Sequence, residues 1–167
     1  MQFIEDLTIG ARTVLGRHTF TADEIKAFAF KFDPQPFHLD EAAAARSPFG
    51  ALCASGWHTV AVWMRLNIDH QQRADVARRA RGEPIAELGL SPGFRELRWL
   101  KPVYVGDTIT YAAELTAKRL SGSQPGWGLI TLRNTGTNQN DEEVLSFIST
   151  ALLQSRGQTT EDRGRTA

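Results

Sequence analysis

The chain has 167 residues and a mass of 18.5 kDa, with 19 basic and 19 acidic side chains and no formal net charge. This length suits one domain, which we place at residues 1–155. The neutral balance argues against a nucleic-acid-binding protein, and the single cysteine excludes an intrachain disulfide framework or a cysteine-based zinc cluster. The sequence has no signal-peptide pattern at its start and no apolar run long enough to cross a membrane, so we expect a cytoplasmic protein.

The first third of the sequence predicts an edge strand followed by two helices. Residues 11–20 mix apolar and polar side chains in the manner of an edge strand. Thr21 and Glu24 have the spacing of a capping box, and apolar residues then recur at helical spacing. Pro34 and Pro36 end this helix, and they stiffen a predicted loop that reaches His38. Alanine-rich residues 40–45 predict a second, short helix.

The middle of the chain predicts a buried helix. Residues 51–64 contain no formally charged side chain, and Ser55 is a good N-cap for a helix over residues 55–69. Because this helix is apolar nearly all round, we expect it in the core, with one face made by Trp57, Val60, Ala61 and Met64. Residues 71–84 are rich in arginine, and we interpret them as a solvated, mobile segment rather than a phosphate site.

The second half predicts strands. Alternating or β-branched segments occupy residues 94–100, 108–118, 127–134 and 144–153, separated by turn-forming residues. A sheet must bury one face, and the apolar helix is the obvious cover. The expected fold class is therefore α+β, with an antiparallel sheet wrapped around a central buried helix. The polar residues 156–167 are expected to form a disordered tail.

A candidate acid–base pair lies on the proline-bracketed segment. Asp33 and His38 are five positions apart, and a carboxylate beside an imidazole can share and activate a water molecule. Phe32 and Phe37 flank the pair, so we expect desolvation to raise the pKa of the carboxyl group. The spacing alone also fits an ordinary surface loop in which Asp33 caps a turn.

A second candidate site is the start of the apolar helix. Gly56 follows the predicted N-cap, and a glycine there exposes backbone N–H groups at the positive end of the helix dipole. Such N–H groups can hold a carbonyl oxygen that becomes an oxyanion. The same glycine also suits close packing between helix and sheet, and both roles are compatible. Cys53 and His58 are interpreted as structural.

Four motifs in this order resemble the MaoC-like dehydratase family, which includes the (R)-specific enoyl-CoA hydratases and has the hot-dog fold. They are FDPQPFHLD at 32–40, SPFG at 47–50, ASG at 54–56 and KPVYVGD at 101–107. The resemblance covers residues from about 20 to 153 and implies a single hot-dog domain.

The resemblance also implies roles for individual residues. Asp33 and His38 match the family's catalytic pair, and Gly56 matches the glycine whose N–H stabilises the thioester enolate. Gln35 stands where the family has asparagine and, with Pro36, supports the loop. Ser55 stands where the family has histidine. The motif at 101–107 matches a structural strand and turn.

The function implied is a hydro-lyase acting on an acyl thioester of coenzyme A or acyl carrier protein, most simply (R)-specific hydration of a trans-2-enoyl-CoA. The family pattern implies a homodimer with sheets joined edge to edge, and neither a metal nor a redox cofactor. Two other functions remain open at this point. One is a hot-dog thioesterase with Asp33 as the base, and the other is a non-catalytic module that binds acyl thioesters.

Overall fold

The structure, a computed structural model, describes residues 1–157 and consists of an antiparallel sheet and a long helix. The strands are β1 (Arg12–Thr19), β2 (Gly93–Trp99), β3 (Thr108–Leu120), β4 (Trp127–Thr137) and β5 (Glu143–Gln154). The helices are α1 (Ala22–Phe32), α2 (Pro36–Leu39), α3 (Glu41–Ala45) and α4 (Gly56–Ala80), with a short 3₁₀ turn at Ile4–Asp6. The strand order is β1-β3-β4-β5-β2, so β1 and β2 are the two edges. The predicted α+β class and the predicted strands are confirmed.

The helices of the first third follow their local signals. The Thr21 hydroxyl accepts a hydrogen bond from the Glu24 backbone N–H, and the Glu24 carboxylate accepts one from the Thr21 N–H, which confirms the capping box. Asp40 caps α3 in a similar way. The prediction of a loop that reaches His38 is partly wrong, because α2 begins at Pro36. A proline at the first helical position has its φ angle already set for a helix.

Helix α4 is longer than predicted. It continues from the expected start through Ala80, so the description of residues 71–84 as a mobile segment is wrong for most of its length. Arginine and alanine are good helix formers, and no glycine or proline interrupts the sequence before Gly82. Arg78 and Arg81 both pair with Glu83 at the C-terminal end.

Only one side of α4 enters the core. Trp63 is buried and packs edge-to-face on Phe147 of β5, with 4.7 Å between ring centroids. Trp57 and Met64, by contrast, are 53% and 50% exposed. The predicted central helix is confirmed, but its burial is only partial: a single sheet covers one face, and the opposite apolar face remains uncovered by residues 1–157.

The first residues of the chain pack against residues near the end of β5. The Ile4 side chain is buried with Leu115, Ile130 and Leu153 in a second, smaller core. Arg156 forms an ion pair with Asp6. The remainder of the predicted tail, residues 158–167, lies outside the described residues. Among residues 1–157, no helix is both long and apolar enough to span a bilayer.

His58 is a buried titratable group between α4 and α1. Its ring stacks on Phe28 at 4.5 Å between centroids and meets Phe20 edge-to-face at 5.0 Å. Burial lowers the pKa of His58 to about 4, although nearby Glu24 acts in the opposite direction. The imidazole is thus held neutral, as the structural interpretation of His58 requires.

We expect the buried His58 to make stability depend on pH. Its folded-state pKa lies below the unfolded value, so the unfolded chain binds an extra proton between about pH 6.5 and pH 4, and the free energy of unfolding falls as the pH falls through that window. The loss should reach up to ~3 kcal/mol. Urea unfolding curves of the unchanged chain and of His58→Gln measure it. A variant with the same slope against pH in that window would contradict the expectation.

Candidate active site

Asp33 lies at the end of α1, where the chain turns into the proline segment. The residue is the C-cap of the helix, and its side chain is 19% exposed. Oδ1 accepts a hydrogen bond from Gln35 Nε2 at 2.8 Å, and Oδ2 accepts one from Ser55 Oγ at 2.6 Å. The carboxylate is therefore fixed by one donor from its own loop and one from the start of α4.

His38 is buried beside this carboxylate. Its Nε2 lies 3.5 Å from Asp33 Oδ2, and its side chain is 6% exposed. Its Nδ1 lies 2.7 Å from the Cys53 carbonyl oxygen. Because a carbonyl only accepts hydrogen bonds, Nδ1 carries the proton, and in the neutral ring Nε2 has a free lone pair on the side of Asp33. The Cys53 carbonyl thus holds the imidazole, which α2 carries, in one tautomer and one orientation.

The motif at residues 101–107 positions the Cys53 carbonyl, which accepts the hydrogen bond from His38 Nδ1. Cys53 forms an isolated antiparallel bridge with Tyr104, and the Ala54 N–H donates to the Val103 carbonyl at 2.8 Å. Asp107 in turn accepts a hydrogen bond from the Tyr104 N–H at 2.8 Å. The motif is therefore structural, as expected, and it fixes the backbone that orients the His38 ring. Burial raises the pKa of the Cys53 thiol to about 11, so the thiol stays neutral.

The ionisation of Asp33 differs from the expectation. Burial does raise the pKa of this carboxyl group, but the hydrogen bonds from Ser55 and Gln35, with the Coulomb attraction of the protonated form of His38, outweigh it, and the net pKa lies below the ordinary value. The expected upward shift of this pKa is therefore wrong, and Phe32, at 69% exposed, adds little to the burial of the carboxylate. Asp33 is therefore an ionised carboxylate near neutral pH.

Gly56 begins α4, as predicted. Ser55 caps the helix by accepting a hydrogen bond from the Trp57 N–H, and within residues 1–157 the Gly56 N–H has no acceptor. The Trp99 indole lies close over the glycine: a Cβ atom at this position would come within 2.5 Å of the ring. The packing role of the glycine is thus visible in the structure, and its N–H remains available to a ligand.

The candidate residues line one cavity of about 400 Å³. Asp33, His38 and Gly56 share it, and the motif residue Lys101 adds a cation that is paired with Glu142. Aromatic side chains make up much of the remaining lining: Phe37, Phe49, Trp57 and Trp99. The arrangement combines a carboxylate, an imidazole lone pair and a free N–H in a largely apolar space, which suits addition of water to a polarised double bond.

Sequence reasoning brought together some of these residues and missed others. Gln35 contacts the Asp33 carboxylate directly, while Pro36 is the first residue of α2. The contact between Ser55 and Asp33 spans 22 positions and was not predicted. Ser55 gave a signal as an N-cap, whereas no pattern in the sequence indicated Trp99 as a cavity residue.

Comparison with known proteins identifies the family and the fold of the chain. The family described as MaoC like domain matches residues 8–126. A crystal structure of the MaoC-like dehydratase from Rhodospirillum rubrum superposes with a TM-score of 0.77 at 38% identity, covering 95% of this chain and all of that one. A Mycobacterium tuberculosis protein described as having a double hot-dog fold superposes with a TM-score of 0.69 at 22% identity, covering 95% of this chain and 46% of that one.

Two curated proteins are similar in sequence. The uncharacterized protein YdeM of Bacillus subtilis is 26% identical over 151 residues, which span 90% of this chain and 98% of that protein. Mesaconyl-CoA hydratase of Cereibacter sphaeroides is 35% identical over 80 residues, but these span 45% of this chain and only 23% of the hydratase. With the family match over most of its length, the chain belongs to the MaoC-like domain family and has the hot-dog fold.

Proposed function

We propose that the chain is a hydro-lyase that adds water to a 2-enoyl thioester, most simply by (R)-specific hydration of a trans-2-enoyl-CoA. The observation that carries the proposal is the approach of Asp33 Oδ2 and His38 Nε2 to 3.5 Å on the lining of a cavity that also contains Gly56. Similarity over 80 residues to a hydratase named for a coenzyme A thioester supports this substrate class.

In the proposed reaction, the pair activates water. One hydrogen of the water points to the Asp33 carboxylate and the other to the His38 Nε2 lone pair, since both are acceptors. As the water oxygen bonds to C3 of the enoyl group, its proton passes to the pair, and the electrons of the C2–C3 double bond move toward the thioester oxygen. The proton then returns to C2, so that water is added without a net change at either residue.

The developing negative charge on the thioester oxygen requires a donor. The Gly56 N–H is free to donate, and it stands at the positive end of α4, a helix of 25 residues. We assign the thioester carbonyl to this N–H. No metal or redox cofactor takes part in the proposed reaction.

A spectrophotometric screen tests the function. The conjugated enoyl thioester band should disappear on hydration when crotonyl-, longer 2-enoyl- and branched-enoyl-CoA esters are mixed with the protein. A parallel assay for free thiol separates hydration from thioester hydrolysis. Loss of the band without thiol release is the expected result, and thiol release would instead favour the thioesterase. If the protein binds the esters but turns over none of them, only the non-catalytic binding module remains as its function.

We further propose a homodimer formed through an uncovered apolar face. A stripe on α4, hereafter the α4 stripe, consists of Trp57, Ala61, Met64 and Ile68, all exposed. It continues onto edge strand β2, because the Trp57 and Trp99 rings meet edge-to-face at 5.2 Å. An exposed edge strand next to an apolar helix face can be covered by the same surface of a second copy in a two-fold dimer. Trp57 and Trp99 also line the cavity, so the dimer would close its open side.

Light scattering tests the dimer. We expect a particle of twice the 18.5 kDa chain mass, and we expect Met64→Glu to convert it to a monomer because the substitution places a charge in the α4 stripe. Val76→Glu is the matched control, since this exposed α4 residue lies roughly a quarter turn away from the stripe. A stable monomer of the unchanged chain at micromolar concentration would contradict the dimer.

A further inference from the structure

Ser55 contacts two parts of the site at once. The residue is 1% exposed, and its hydroxyl donates to Asp33 Oδ2 at 2.6 Å while accepting from the Trp57 N–H at 3.3 Å. A hydroxyl has one hydrogen and can therefore donate only one such bond. Because the N-cap bond uses the oxygen as acceptor, the single hydrogen is directed to the carboxylate.

We propose that Ser55 is a positioning residue for the reaction: its buried hydroxyl holds the Asp33 carboxylate ionised and oriented for the reacting water. This consequence for turnover rests on the proposed function, whereas the consequence for Asp33 itself does not. The N-cap interaction makes the donor rigid, so the start of α4 fixes the carboxylate and supplies the free Gly56 N–H within one turn. The Asp33 carboxylate and the Gly56 N–H are thereby kept in fixed positions relative to each other.

The two donors to Asp33 differ in their surroundings. Gln35 is exposed, so water can replace its amide when the side chain is removed. Ser55 is buried, so removal of its hydroxyl leaves Oδ2 without that donor. We therefore expect Ser55 to affect the carboxylate more strongly than Gln35, although both bonds are short.

Few charged groups compete with this effect. His38 faces Asp33 from α2, and the protonated form of its ring favours the carboxylate form of Asp33. On the segment before α4, the Cys53 thiol stays neutral, because burial raises its pKa. Lys101 lines the same cavity but pairs with Glu142. A change at Ser55 should therefore appear directly in the titration of Asp33.

The direction of the change follows from the hydrogen bond. A donor to the charged form lowers the pKa of a carboxyl group, so its loss raises that pKa. If the reaction needs the carboxylate, the acidic limb of the pH profile of kcat moves to higher pH. Lost orientation also lowers kcat at neutral pH by about 10-fold to 100-fold, the effect of one hydrogen bond to a charged group.

Two variants separate positioning from helix capping. Ser55→Ala and Ser55→Gly both remove the hydroxyl, but glycine is a much better N-cap than alanine. A capping role predicts that Ser55→Gly behaves nearly as the unchanged chain and that only Ser55→Ala loses melting temperature and activity. Positioning predicts the same rise in the Asp33 pKa and the same loss of kcat in both, whatever their melting temperatures. Gln35→Ala provides the comparison with an exposed donor.

The Asp33 pKa is measured by carboxyl ¹³C NMR titration, with the resonance assigned by Asp33→Asn. An Asp33 titration that is unchanged in both Ser55 variants would overturn the proposal, as would kcat values that follow melting temperature. If the unchanged protein hydrates no enoyl thioester, the proposed function fails, and the NMR titration still decides whether Ser55 controls Asp33.

Discussion

Replacing Asp33 by Asn or His38 by Gln is expected to lower the turnover of an enoyl thioester by about 10²–10⁴, the usual effect of losing a general acid–base group. Asparagine keeps the shape of Asp33 but not its charge. Glutamine keeps a donor for the Cys53 carbonyl, which His38 Nδ1 approaches to 2.7 Å, but it loses the Nε2 lone pair. Steady-state rates for both variants, with a thioester that the unchanged chain hydrates, measure the effect.

His58→Gln is the matched control for His38→Gln. Both remove a buried histidine, but His58 packs between α1 and α4 and does not line the cavity. We therefore expect the His58 variant to retain its turnover near neutral pH, where the imidazole it replaces is uncharged. Melting temperatures show whether any loss reflects unfolding. If Asp33→Asn or His38→Gln hydrates the thioester as fast as the unchanged chain, the replaced residue has no part in the proposed mechanism.

The elements that the sequence predicted well are those set by local chemistry. The capping box at Thr21 and Glu24 specifies the start of α1 within four residues of chain. Alternation predicted strands such as β3 and β5, along which buried side chains are interspersed with less buried ones. In the same way, the order of the four motifs was enough to identify the family, which the match over residues 8–126 shows.

The predictions that were wrong concern features set by contacts between residues far apart in the sequence. The hydrogen bond from Ser55 is one of the contacts that together outweigh the desolvation of Asp33 and lower its pKa, and no local pattern reveals a contact across 22 positions. The uncovered side of α4 was missed for a related reason. Periodicity reports which residues are apolar, and both a core and a subunit interface require apolar residues.

The Asp33–His38 pair and the Gly56 N–H have different charge and therefore different roles in the proposed reaction. Asp33 is held ionised by Ser55 and Gln35, and His38 presents a lone pair because its other nitrogen donates to Cys53. Both groups therefore accept hydrogen bonds from water, and neither can neutralise a developing enolate. Of the three candidates Asp33, His38 and Gly56, only Gly56 offers a donor without a partner among residues 1–157, so we assign the proposed stabilisation of the enolate oxygen to its N–H.

Gly56→Ala is expected to lower turnover by roughly 10²–10³, because loss of one oxyanion donor costs about 2.7–4 kcal/mol in the transition state. The added methyl group would move the thioester oxygen away from the N–H. It would also come within 2.5 Å of the Trp99 indole, so a loss of activity has two possible causes. Turnover and melting temperature must therefore be measured together, and the oxyanion role requires a large loss of turnover with a small change in melting temperature.

Trp99→Ala separates the two causes because it removes the indole that the new methyl group would strike. The Trp99 side chain is 45% exposed, so we expect this variant to fold. In its background, Gly56→Ala should still lower turnover by about the same factor if the methyl group displaces the thioester oxygen. If the Gly56 substitution has no effect once Trp99 is absent, the glycine is needed only to make room for the indole. Unchanged turnover in Gly56→Ala alone would show that its N–H does not hold the thioester oxygen.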